Sequence, residues 1–190
     1  MSLPRFTPLC LTAALAIGLP ALTPDAAAQQ RSTGGRASPL DSVKAVVGDA
    51  HIEIQYGRPS VRGRVIFGGL VPWNRVWRTG ANEATGFRTS ADLEFGETRI
   101  PAGEYTLYTL PSPDGWTLII NEQTGQWGTE YHRDRDLVRL PMKVETLEQP
   151  VELFTISVVP GKNGKGALSL SWAGTRAWVD FQAAEKPGGP

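Results

Sequence analysis

From Val43 to Tyr56, and again from Thr85 to Phe181, apolar residues recur at every second position in short runs broken by glycine and proline, and no stretch sustains the spacing of a helix. A period of two puts alternate side chains on opposite faces of a strand. Ile52, Ile54 and Tyr56 alternate with His51, Glu53 and Gln55, and a Gly48-Asp49 turn joins them to Val43–Val47, which predicts a hairpin with one buried face. Phe87 leads to Leu93 and Phe95, Gly96-Glu97 and Pro101-Ala102-Gly103 mark turns around Ile100, and Tyr105 and Leu107 follow. Trp116, Leu118 and Ile120 carry apolar Ile119 on their other face, the pattern of a central strand. Val138, Leu140, Met142 and Val144 form a strand whose Pro141 has no ladder donor, which predicts an edge or a bulge. Phe154, Ile156 and Val158 precede a Gly161–Gly164 turn, Leu168, Leu170 and Trp172 follow it, and Ala173-Gly174 predicts a last hairpin that returns Ala177, Val179 and Phe181 inward.

Many short strands of this kind predict an all-β fold, a single antiparallel β-sandwich of jelly-roll type over residues 40–183. A helix is admissible only around Asn74–Trp77 and Glu130–Asp136. One stretch breaks the alternation. Tyr56 to Thr85 carries Arg58, Arg62, Arg64, Arg75 and Arg78 against a single acid, Glu83, with glycine, proline and tryptophan disrupting any period. It predicts one long structured loop rich in arginine and tryptophan, and ordered loops of such length carry function more often than not.

Residues 1–28 have the parts of a secretory signal: Arg5, an apolar run from Leu9 to Leu19, and Ala26-Ala27-Ala28 before Gln29. The run is too short for a membrane span. The expected location is periplasmic or secreted, with cleavage after Ala28, a disordered leader over 29–39 and a flexible tail over 184–190. The chain has 19 basic and 19 acidic residues, and loss of the signal removes one of each, Arg5 and Asp25. A neutral domain has no long-range field to draw it to nucleic acid or anionic lipid, so neither is an expected partner. The lone cysteine, Cys10, falls inside the signal, so the core must hold the fold without disulfides.

The string Tyr56-Gly57-Arg58-Pro59, Gly63-Arg64, Phe67-Gly68, Leu70-Val71-Pro72, Val76-Trp77-Arg78 and Gly80-Ala81-Asn82-Glu83-Ala84-Thr85, then Pro101-Ala102-Gly103 and Tyr105, resembles a secreted bacterial family known as domain of unknown function 2911. The resemblance spans roughly Ser38 to Phe181. It implies export and a β-rich domain, and it carries over no activity, substrate, cofactor or catalytic residue.

The residues themselves nominate a ligand-binding surface of Arg58, Arg64, Trp73, Arg78, Asn82 and Glu83. Guanidinium forks suit carboxylate, sulfate or phosphate, and an indole beside amide and carboxylate groups suits a sugar or peptide. The competing structural reading has the arginines tie the loop to itself through backbone carbonyls and Glu83, with Trp77 plugging the sandwich and Trp73 the exposed ring. Glu130, His132 and Asp134 lie among arginines that oppose a bound cation, so neither a metal nor a cofactor is expected, and the charged run reads as a solvated loop. No serine sits in a nucleophile elbow. The leading expectation is non-catalytic binding of a small polar or anionic ligand or an envelope glycan at Arg58–Glu83. A polysaccharide-active enzyme with Glu83 as acid or base is the second reading, and a structural module for an envelope protein partner is the third. For the exported chain, N-terminal sequencing is expected to start at Gln29; a lipid-bearing start at Cys10 would overturn the cleavage site.

Overall fold

The computed structural model describes residues 37–184. The expected signal, its cleavage site and the tail beyond Ala184 lie outside the described residues. Nine strands follow in chain order: β1 (Leu40–Val47), β2 (Ala50–Gly57), β3 (Thr85–Thr89), β4 (Leu93–Phe95), β5 (Thr98–Ile100), β6 (Gly103–Leu110), β7 (Trp116–Asn121), β8 (Asp136–Pro160) and β9 (Lys165–Ala183). They form one antiparallel ladder in the order β1-β2-β3-β6-β7-β8-β9-β4-β5, which is not closed.

The ladder is sandwich-like because β8 belongs to both of its halves. Asp136–Met142 pairs with β7, and from Lys143 onward β8 pairs with β9, to which β4 and β5 are added. The two halves bury their apolar sets against each other. Ile52, Ile54, Tyr56, Phe87, Leu107 and Leu118 from the first meet Phe154, Ile156, Leu168, Leu170, Trp172 and Phe181 from the second in one core. At one end of the core the contact is so close that a Cβ on Gly166 would fall 3.1 Å from Val47 and 3.0 Å from the Phe181 ring.

Alternation located these elements well. The β1–β2 hairpin turns at Gly48-Asp49 with Val47 opposite Ala50, and β7 is buried on both faces between β6 and β8. Pro141 lies where β8 has β7 as its partner and has not yet met β9, so the missing donor costs little there. Of the two windows left open for a helix, Glu130–Asp136 holds one 3-10 turn, Arg133–Arg135, and Asn74–Trp77 holds none.

One expectation fails. Ala173-Gly174 does not reverse the chain, because β9 runs unbroken from Lys165 to Ala183 and β8 runs unbroken beside it. Ala173 has φ +49°, and the pairing slips on either side of its partner Val151, between Thr146 and Val151 and again between Val151 and Thr155. A left-handed residue beside a glycine looks like a turn in sequence; inside a ladder it makes a bulge and bends the strand. At such a position the usual strand preference inverts. Ala173→Val is expected to lower stability by about 1–3 kcal/mol, as a branched side chain at positive φ requires, while Ala173→Gly does not lower it. Urea unfolding of the two variants checks this, and a flat strand at Ala173 would give the opposite order.

Candidate functional site

The loop between β2 and β3 has no regular structure of its own, so its backbone polar groups need partners elsewhere. It finds them on both halves of the ladder. On one side Trp77 N–H donates to Thr109 O (2.7 Å), Thr109 N–H to Trp77 O (2.9 Å) and Asn74 N–H to Pro111 O (2.8 Å). On the other, Val61 N–H donates to Glu152 O and Phe154 N–H to Pro59 O, both at 2.9 Å. Ala37, Ser38 and Pro39, the expected end of the leader, are tied in as well: their carbonyls accept from Arg62, Asn82 and Arg58 N–H groups.

Four non-glycine residues of the loop adopt positive φ: Arg62, Asn74, Thr79 and Asn82. Asparagine tolerates this region, whereas a β-branched threonine at φ +54° is strained. Thr79 is fully buried and held on every side, with its hydroxyl beside Trp77 O and Thr109 Oγ1 and its carbonyl accepting from Thr85 Oγ1 at 2.8 Å. Arg78, which precedes that strained turn, packs against Gly128. The fit is tight: a Cβ on Gly128 would lie 2.3 Å from Arg78 Cδ. The Asn82 carbonyl then accepts from both Gly128 N–H (3.0 Å) and Arg78 Nη1 (3.2 Å).

The result is a cleft of about 640 Å³. Leu70–Val71–Pro72, Asn74, Arg75, Val76, Trp77 and Arg78 supply one wall, and Tyr108 of β6 with Gly128, Thr129 and Tyr131 supplies the other. The lining contains two guanidinium groups and no carboxylate. Arg75 is exposed and has no hydrogen bond or ion pair among the described residues, and half-buried Arg78 spends a single nitrogen on Asn82 O.

The two tyrosines are held as neutral phenols. Tyr108 donates to Glu130 O (2.7 Å) and accepts from Gln126 Nε2 (2.9 Å); burial raises its pKa, opposed by the Gln126 hydrogen bond and by the charge of Arg78. Tyr131 donates to Asp136 Oδ2 (2.6 Å) and accepts from Arg139 Nη2 (2.6 Å), and burial together with the Asp136 carboxylate pushes its pKa up to about 12. Asp136 also receives Arg139 Nε and Asn121 Nδ2, both at 2.9 Å. The charged run at 130–136 is therefore divided: Glu130, His132, Arg133, Asp134 and Arg135 are exposed as expected, while Tyr131 and Asp136 face inward. Among the described residues no group of three His, Cys, Asp or Glu side chains is arranged to hold a metal.

The six residues nominated from sequence are not gathered in one place. Arg78 lines this cleft. Arg78, Arg64 and Asn82 line a smaller one beside it. Arg58 is used structurally, donating to Phe154 O (3.1 Å) and Thr155 Oγ1 (3.0 Å) and pairing with Asp41 Oδ2 at 3.3 Å. Its acid thus comes from β1 and not from Glu83, which meets Trp127 across an isolated bridge and lines neither cleft. Trp73 is the more exposed indole, as expected, but it stacks on Phe67 and crowds Gly68 outside the lining of either cleft. Trp77 is the plug, buried against Trp172 and Phe154. Sequence reading missed Arg75 as a lining residue, and with it Tyr108, Gly128 and Tyr131. The glycine in Trp127-Gly128 was the available signal, since it permits the close approach of Arg78.

An open antiparallel sandwich-like fold with a long loop stapled across both of its halves, and an arginine-lined cleft beneath that loop, define the class of protein. The chain belongs to the family described as "Protein of unknown function (DUF2911)", whose model matches residues 38–181. No curated protein and no solved structure matches it.

All four tyrosines, Tyr56, Tyr105, Tyr108 and Tyr131, have pKa values raised above 10.0, with burial the leading cause in each. For Tyr131 the folded chain keeps a proton that the unfolded chain loses near pH 10, so its contribution to stability is complete below pH 10.0 and is lost as pH rises towards about 12. Ultraviolet titration of tyrosinate is expected to run at higher pH in the native protein than in urea; coincident curves would contradict the buried phenols.

Proposed function

We propose that the protein binds a small ligand bearing an oxyanion, an acidic sugar among the candidates, in the cleft between the central loop and Tyr108–Tyr131, and releases it unchanged. The observation that carries this reading is Arg78: a half-buried guanidinium with one backbone hydrogen bond, in a lining that contains no carboxylate. Burying a cation without a counter-charge is unfavourable, and a ligand carboxylate, sulfate or phosphate relieves it. The volume lies in the range of small-molecule sites, about 300–1,000 Å³. Leu70 and Pro72, both exposed, and the half-buried Tyr131 ring give an apolar surface for the body of the ligand, and Arg75 adds a second donor at the rim. Binding without turnover is favoured because neither the cleft nor its smaller neighbour is lined by Glu83 or another carboxylate that would serve as acid or base.

Calorimetric titration with sulfate, inorganic phosphate, glucuronate and uncharged glucose tests the reading. At least one anion is expected to bind and glucose to bind more weakly. Arg78→Gln is expected to lower the anion's affinity on the order of ten- to a hundred-fold, the equivalent of one charge-assisted contact. The bound anion is expected to be recovered chemically intact. Absence of binding by all three anions, or an unaltered affinity in Arg78→Gln, would sink it.

A further inference from the structure

Arg78 and Trp77 wall two clefts at once. Beside the larger one lies a second of about 260 Å³, to which Arg64, Ala81, Asn82 and Trp172 contribute and which shares Leu70, Val71, Trp77 and Arg78 with the first. The second lining also contains no carboxylate. Each cleft has a cation of its own, Arg75 in the larger and Arg64 in the smaller, and Arg78 stands between them.

Three guanidinium groups arranged this way exceed what a single oxyanion needs. A volume of about 260 Å³ falls below the usual range for a complete small-ligand site, so the smaller cleft suits one unit of a longer ligand. Arg64 is also prepared for the task. Its Nε donates to Val61 O at 3.0 Å and its Nη2 to Ser60 O, which fixes the plane of an exposed guanidinium and leaves Nη1 with no partner among the described residues. A fork already held in place loses less conformational freedom on binding than a mobile one.

The geometry points to recognition of a chain-like polyanion whose successive anionic groups occupy both clefts, with Arg78 between them; this deepens, and rests on, the anion-binding reading above. Oligomers of a uronic acid and linear polyphosphates share that chemistry.

The test is a calorimetric length series on the purified protein: galacturonate, its dimer and trimer, and orthophosphate, pyrophosphate and tripolyphosphate. In one series the longer members are expected to bind on the order of ten-fold tighter than the monomer or more, because the second contact is made within the complex. The series that shows the gain identifies the source of the anion. Arg64→Gln, and independently Ala81→Glu, which places a carboxylate in the smaller cleft, are each expected to cut the gain to below about two-fold. Melting temperature serves as the folding check. If Arg64→Gln unfolds because its ties to Ser60 and Val61 are lost, Ala81→Glu decides, since it removes none of them. A monomer that binds as tightly as its oligomers in both series overturns the two-cleft proposal and leaves the single-cleft reading standing. A gain that survives in the folded variants overturns it as well. Failure of every compound, sulfate and glucuronate included, to bind overturns both.

Discussion

Trp77 ties the central loop to both halves of the ladder. Its backbone exchanges two hydrogen bonds with Thr109 of β6, in the first half of the ladder, while its ring stacks on Trp172 of β9, in the second, at 5.7 Å and 16°. Phe154 of β8 meets both rings edge-on, at 5.0 Å and 5.6 Å. The indole N–H is spent on Gly80 O, three residues along the loop, so the same side chain that closes the core also sets the turn beyond it. An aromatic residue placed this way contributes its apolar area to the core and its polar edge to loop geometry. Gly57 completes the joint, because a Cβ there would collide with the carbonyl of Ala81.

With the loop fixed, its arginines divide into two kinds. Arg58 is consumed: it has an acid, a carbonyl and a hydroxyl as partners, and it fastens the loop entrance to β1 and β8. Arg64 and Arg78 are held by carbonyls alone, which orient a guanidinium without neutralising it. That difference matters because a carbonyl dipole offsets far less of a cation's field than a carboxylate does. Arg75, at the rim, is offset by neither.

The strands were legible because period-two burial is a local property. Ile52, Ile54 and Tyr56, or Leu118 and Ile120, point inward for reasons contained in their own segments. The run through β8 and β9 was not legible, because Ala173 and Thr146–Val151 have turn-like sequences whose outcome depends on a partner strand. The cleft was half legible. Its loop wall announces itself by composition, but Tyr108 and Tyr131 look like ordinary strand and loop residues until folding brings them opposite Arg78. Ion pairing showed the same limit: Glu83 is the one acid within the loop's own sequence, and Asp41 is the one folding delivers to Arg58.

The order of the ladder has a consequence for a chain that emerges from its N-terminus first. β4 and β5 are complete by Ile100, yet the neighbour that β4 needs is the last stretch of β9, where Leu93 pairs with Ala183 and Glu94 accepts from Gln182, 88 positions away. Until those final residues appear, β4 has only β5 as a strand partner, and Phe95 lacks the Phe181 ring it packs against. A truncated or stalled chain therefore presents an unfinished sheet with apolar side chains and open backbone donors, the kind of edge on which other chains associate. Addition of the last stretch of β9 is the step that gives β4 its second neighbour and covers that edge.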